Sequence, residues 1–501
     1  MSQDRLDAAP SGVFSDAHTK ANLKSLVLRG GAVKLGSQAV KFALRVGGLF
    51  IMARLLTPQD FGVFAMIVTF TGFLEMFNSI NLMIPTIQKE NISHEQVSVI
   101  FWVSASLGLL LASITAAAGP VIAWFYGDPR LTKVALAIAP VFIMRGLARQ
   151  HLALLQRRMR LLAIELVRVT SQLLGAAAMI GSAWRGAGYW SLVLNVLVIS
   201  TTDAILFWSL SGWRPGLPRR GTGARSMLNF GGNLSVYEVC GYVQGSVDQV
   251  LIGQWWGAGA VGLYGKASGL ITLSVTQLVS PISDVVIPAL SRLQSETERY
   301  RMYYAKTVGA TLLLTMPLVA FICIDARQIV LTALGEKWIE VVPIFLGLAP
   351  AAAATTLTVM YTWACLSLGH GRKLSRAAFV MAAGSAAAFV AGVHWGAVGV
   401  ARAYSVAYCA LILPILAYGL DGSPISLRDV RDIAWRPAAA STIGAFLALA
   451  ARPLWIHARL PAVQMLGDAA LFGLLYLGAW LLLPGGAALL RELASSARRA
   501  R

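Results

Sequence analysis

Lys34, Gln38, Lys41 and Arg45 recur at i, i+4, i+7 and i+11, while Leu35, Phe42, Val46 and Leu49 project elsewhere. On a helix this spacing draws one stripe of three cations and an amide through an otherwise apolar segment. A cation near the middle of a bilayer costs about 2.5–3.5 kcal/mol on insertion scales, so the stripe is expected to face a hydrated chamber rather than lipid. Its chemistry is the noncovalent capture of an anion, with a phosphate as the best match. Arg145, Arg149, Lys266 and Arg402 lie inside other apolar segments and are candidate contributors to the same cationic surface. The competing reading is that some of these cations snorkel, as Lys34 and Arg149 near segment ends can, or pair with acids, as Glu165 and Arg168 can at i, i+3.

Moving the stripe 200 residues down the chain lands on Leu234, Glu238, Gly241 and Gly245, with Asp248 one step further. Glu238 and Asp248 are candidates for binding a coupling ion, H+ or Na+, because a carboxylate in a low-dielectric setting takes up such ions readily. The alternative is that they only balance the charge of the basic stripe.

Signatures of covalent chemistry are missing. The stretch 260–267 (AVGLYGKA) imitates a phosphate loop but lacks its first glycine and the Ser or Thr after Lys266. The six histidines show neither HExxH spacing nor a cysteine partner, and the four cysteines fall singly in apolar segments as packing residues. No metal, no other cofactor and no catalytic group is therefore expected, and the predicted external loops are too short for a catalytic domain.

The elements that must hold the stripe follow from composition. At 501 residues, 57% apolar and 13% charged, the chain reads as an all-α integral membrane protein. A net charge of +19 could indicate nucleic acid, but the cations sit in short runs between apolar segments and form no basic face, so nucleic acid is not an expected partner. The first 28 residues lack the apolar core of a cleavable signal peptide.

Segments long enough to cross the hydrocarbon fall at 29–53, 61–83, 97–120, 131–154, 161–183 and 187–211, then at 226–254, 267–290, 307–329, 340–366, 376–394 and 396–419, with a last pair at 436–456 and 463–483. This predicts about fourteen helices. With the N-terminus inside, the even-numbered side holds 26 Lys and Arg and the other side 8, leaving 8 of the 42 within segments. That asymmetry places both termini in the cytoplasm.

The two sets of six look like copies. Residues 52–64 (MARLLTPQDFGVF) lie over 252–264 (IGQWWGAGAVGLY) at an offset of 200, Ile84-Pro85 over Ile287-Pro288 at 203, Tyr126-Gly127-Asp128 over Leu334-Gly335-Glu336 at 208, and Gly186-Ala187 over Gly396-Ala397 at 210. Four matches in order, with an offset that only grows, describe a parallel repeat of the kind transporters carry. The expected organisation is a cytoplasmic segment 1–28, a six-helix bundle 29–211, a second bundle 226–420, an extra hairpin 436–483 and a basic cytoplasmic tail 484–501. The two bundles are expected to enclose a central cavity.

The runs 53–65 (ARLLTPQDFGVFA), 155–159 (LQRRM), 188–193 (GYWSLV), 248–267 (DQVLIGQWWGAGAVGLYGKA), 288–294 (PALSRLQ) and 334–338 (LGEKW) resemble bacterial Wzx-type polysaccharide flippases of the multidrug/oligosaccharidyl-lipid/polysaccharide exporter superfamily. The resemblance covers about residues 25–420. It implies ion-coupled alternating access in a bacterial inner membrane. It also implies an undecaprenyl-pyrophosphate-linked oligosaccharide as cargo, membrane lipid as a partner, and a polymerase and chain-length regulator in the same exopolysaccharide or O-antigen pathway. The extra hairpin suits the polysaccharide branch and also lipid II flippases. A lipid II-type flippase or a multidrug/cation antiporter is the alternative, and a membrane glycosyltransferase or polysaccharide ligase is a third reading that the short loops oppose.

Overall fold

The computed structural model describes residues 23–78, 92–218, 241–242, 244–452 and 461–486, with 83, 86, 87 and 89; over 23–35 and at 77 and 78 only the backbone is described. The described residues form α-helices with two short 3-10 turns and no strand. They divide into two compact units, Met1–Val239 with Gly257–Gly259, and Cys240–Trp256 with Ala260–Arg501.

The first unit contains α1 (Leu23–Leu55), α2 (Pro58–Asn78), α3 (His94–Tyr126), α4 (Arg130–Ile138), α5 (Pro140–Arg157), α6 (Leu161–Trp184) and α7 (Trp190–Ser211). Local chemistry sets several ends. Ser93 and Gln96 form a reciprocal capping box that starts α3, and Gly127 stops it in the left-handed region at φ 68°. The expected segment 131–154 is divided at Ala139, where Pro140 opens α5 at a position that needs no N–H partner. Helices α3 and α5 meet at Gly108 and Gly146. A Cβ on Gly108 would lie 2.6 Å from the Phe142 carbonyl, and one on Gly146 would lie 2.7 Å from that of Ser104. Only a missing side chain allows so close a crossing.

Arginines of the short loop after α5 tie the basic-loop end of this unit. Arg157 donates to the Thr86 carbonyl, Arg158 to that of Ser211 at 2.8 Å, and Arg160 to that of Leu210 at 3.4 Å. The last carbonyls of a helix have no partner within it, so guanidinium groups there both satisfy them and complement the helix dipole.

The second unit contains α8 (Val247–Arg292), α9 (Thr297–Ile324), α10 (Ala326–Ala333), a turn at Glu336–Trp338, α11 (Val341–Ser367), α12 (Gly371–Gly392), a turn at Val393–Trp395, α13 (Gly396–Leu420), α14 (Leu427–Ala451) and α15 (Pro461–Leu482). Helix α8 is broken at Gly257, whose φ of 76° and ψ of −175° suit a residue without a side chain. The core gathers Tyr300, Tyr304, Met360, Trp363, Met381 and Leu416 from α9, α11, α12 and α13. The final pair α14–α15 packs through Ala440, Phe472 and Tyr476 on Leu313, Ala320 and Phe321 of α9. Arg301–Asp429 at 3.0 Å and the Tyr476 hydroxyl donating to Leu313 O at 2.9 Å fix it further.

Glycines paired by the repeat alignment share a positive φ, 68° at Gly127 and 94° at Gly335, and 81° at Gly186 and 74° at Gly396. The tie also has a counterpart, since Lys373 in the first turn of α12 donates to the Asp421 carbonyl at the end of α13.

Ten helices among the described residues are long and apolar enough to cross a membrane, and the chain is a multi-pass membrane protein. The stretch Gly371–Leu420 within that count contains both α12 and α13. Most of the expected segment 226–254 lies outside the described residues.

Candidate functional site

The polar centre of the first unit is a ladder of alternating charges across five helices. At one end, the Lys41 ammonium (α1) donates to Glu165 Oε2 (α6) at 2.7 Å, and the Ser37 hydroxyl, one helical turn away, donates to the same oxygen at 2.6 Å. Both charged side chains are only 10% exposed. A buried carboxylate with one cation and one hydroxyl is well compensated, which limits its desolvation penalty. Arg168, one turn along α6, approaches the other Glu165 oxygen at 3.9 Å.

The ladder continues on α7 with Asp203, which lies within the charge field of Arg168 and Arg145. On α5, Arg145 holds Glu75 of α2 at 2.8 Å, and Arg149 reaches the second Glu75 oxygen at 3.8 Å. Lys41, Arg145, Arg149 and Arg168 thus face Glu75, Glu165 and Asp203, so cations exceed carboxylates by one before Arg45 is added. Arg45 is exposed, and the Arg145 and Arg168 side chains are each 42% exposed. Those three guanidinium groups keep donor capacity for an added anion, with the planar fork that suits a phosphate.

The structure therefore brings together Lys41, Arg145 and Arg149 through their acidic partners. Gln38 is exposed on α1 beside Ser37. The side chain of Lys34 and all of Glu238 lie outside the described residues. The other candidates belong to the second unit. Lys266 lies with its ammonium 5.9 Å from the centre of the Trp338 ring, a cation–π distance. Arg402 is exposed on α13. Asp248 is buried, accepting from the Gln249 N–H at 2.7 Å.

Reading the sequence by its cations missed Glu75 and Asp203, which organise half of the ladder. Each is an acid inside an apolar segment, the same signal that singled out the cations.

A family model described as polysaccharide biosynthesis protein matches residues 51–343. The lipopolysaccharide biosynthesis protein WzxC of Escherichia coli K12 is 22% identical over 59% of this chain and 60% of its own length. The teichuronic acid biosynthesis protein TuaB of Bacillus subtilis is 23% identical over 52% and 55%, and the succinoglycan biosynthesis transport protein ExoT of Rhizobium meliloti 22% over 62% and 63%. The chain thus spans about three fifths of the length of these curated relatives. Among solved structures, a lipid II flippase MurJ in an inward closed conformation superposes with a TM-score of 0.72 at 14% identity, covering 93% of this chain and 100% of that one. An inward-facing multidrug resistance MATE transporter follows at 0.58 and 14%, over 76% and 93%. These likenesses establish the fold.

Proposed function

Because this chain belongs to the polysaccharide biosynthesis protein family, we propose that it is a flippase that moves a polyprenyl-pyrophosphate-linked oligosaccharide from the cytoplasmic to the periplasmic leaflet. It acts as a transporter by alternating access in the bacterial inner membrane, with both termini in the cytoplasm. The excess of lysine and arginine in alternate loops supports that orientation. The observation that carries the reading is the charge ladder of the first unit, where cations outnumber acids and three guanidinium groups keep exposed donors. A pyrophosphate is the part of such a cargo that a bilayer rejects most strongly, and a guanidinium-rich surface inside the span offsets that penalty.

A lipid II-type cargo is the second reading, favoured by the full-length structural likeness to MurJ. Both cargoes share the pyrophosphate, so the ladder serves either.

The test is the double variant Arg45→Ala/Arg145→Ala. Arg145 pairs on a partly exposed face, so the variant inserts at normal abundance, while surface polysaccharide falls at least tenfold and lipid-linked precursor accumulates. Unchanged polysaccharide at equal abundance would remove the phosphate-binding role. Lys41→Ala is a poorer test, because it strands buried Glu165 and confounds activity with folding.

A further inference from the structure

At the end of the second unit remote from Arg301 and Asp429, three charged groups from three parts of the chain converge. Asp325 sits between α9 and α10, Arg452 follows α14, and Asp468 is on α15. Arg452 Nη2 lies 2.7 Å from Asp325 Oδ1 and 3.3 Å from Asp468 Oδ2, and its Nη1 donates to the Ile324 carbonyl at 3.1 Å. Asp325 is 1% exposed and Asp468 is 9% exposed, whereas Arg452 is 32% exposed and reaches in from the mouth.

Two carboxylates share one guanidinium, which leaves one negative charge uncompensated. The Asp325 Oδ2 atom is buried and has no hydrogen-bond partner. Asp325 and Asp468 crowd the same Arg452 nitrogen, so the two acceptors lie close to each other. Both line a small recess of about 10 Å³, room for about one water-sized particle, walled by Ala448, Leu449 and Leu471. A buried oxygen with free lone pairs beside a second carboxylate lacks one positive particle.

We propose that Asp325, Asp468 and Arg452 form a binding site for one small monovalent cation, H+ or Na+, at the junction of the terminal hairpin with α9. A proton would sit on Asp325 and be donated to Asp468, and Na+ would bridge the same two oxygens. The site does not depend on the identity of the cargo. Burial and the neighbouring Asp468 charge push the Asp325 carboxyl up to about 7 against the opposing pull of Arg452. Besides Arg452 and Asp468, the adjoining polar pair is Gln328 of α10 with Gln464 of α15, at 2.9 Å.

The sign follows from linkage. An acid whose pKa is raised on folding contributes stability that is full below its unfolded pKa, near 4, and is lost as pH rises to about 7. Thermal unfolding of the purified full-length protein is followed from pH 4.5 to 8, in choline chloride and in NaCl. Asp325→Asn, a neutral isostere of the protonated form, keeps a midpoint that the wild type loses by several degrees on raising the pH in choline. Sodium restoring the wild-type midpoint at pH 8, but not that of Asp325→Asn, identifies Na+ as the occupant. A pH response without a sodium response identifies the proton. Asp468→Asn repeats the comparison should Asp325→Asn express poorly. Wild type and both variants with the same pH and sodium dependence would overturn the site.

Discussion

The two units repeat their turns and ties but not their interior charges. Gly127 and Gly335 adopt positive φ in corresponding turns, as do Gly186 and Gly396. In each unit a cation at a helix end fastens the end of another helix, Arg158 after α5 to Ser211 O and Lys373 in the first turn of α12 to Asp421 O. Inside, the first unit carries Lys41, Glu165, Arg168, Asp203, Arg145 and Glu75 in alternation, while the second carries buried Asp248, Lys266 over the Trp338 ring and, at the far end of α9, Asp325 and Asp468 around Arg452. Architecture is thus fixed by backbone-level devices that tolerate change elsewhere, and chemistry by a few side chains that only one unit retains. On the function proposed above, the difference puts the anion-binding cations in the first unit.

The sharpest way to break this comparison is to remove one rung. Glu165→Ala leaves the Lys41 cation buried without its carboxylate, a loss of about 3–5 kcal/mol, read as a collapse of abundance and of the thermal midpoint in detergent. Lys41→Met/Glu165→Met together should restore most of that stability without restoring transport. A single variant with a normal midpoint would show that the pair is not a structural rung at all.

A smaller effect tests the shared architecture. Gly146→Val in the first unit and Gly399→Val in the second each push a side chain into backbone less than 3 Å away, Ser104 O at 2.7 Å and Gly392 O at 2.5 Å. Each should cost about 1–3 kcal/mol by overpacking, measured by thermal unfolding. Similar losses sharpen the idea of equivalent frames, whereas a large loss in one unit alone would break it.

The smallest effect concerns the turn after α3. Arg130 holds the Asp128 carboxyl below the usual carboxylate range by hydrogen bonding. A depressed acid contributes stability present above its unfolded pKa and lost as pH falls through the folded one, so Asp128→Asn should flatten the midpoint below about pH 4. Solvent access to Arg130 screens the pair and keeps the effect under about 1 kcal/mol. An unchanged acid limb of the unfolding curve would remove Asp128 from the comparison.

Helix positions and many loop positions were legible because apolar length and glycine placement are local signals. The expected segments 97–120 and 161–183 lie inside α3 and α6, whose ends extend outward to the Ser93 cap and to Trp184. The stripe, in which Lys41 is buried while Gln38 and Arg45 are exposed, was legible only as a spacing along one helix. Its partners were not. Glu165 meets Lys41 across 124 residues, and Arg452 meets Asp325 across 127; helical periodicity says which way a residue points and nothing of which helix stands opposite. Arginines 157 and 158 show the converse limit, because a cationic run that marks a loop on one side of the membrane also serves as a backbone clamp, which composition cannot reveal.

The terminal hairpin is held to α9 at one end by Arg301 with Asp429, midway by Tyr476 on Leu313 O, and at the other end by Arg452 with Asp325. Three-point attachment makes α9, α14 and α15 a single splint. Phe446 of α14 and Leu474 of α15 are exposed apolar side chains on that splint, so a shift of α9 within a bilayer would have to carry them along.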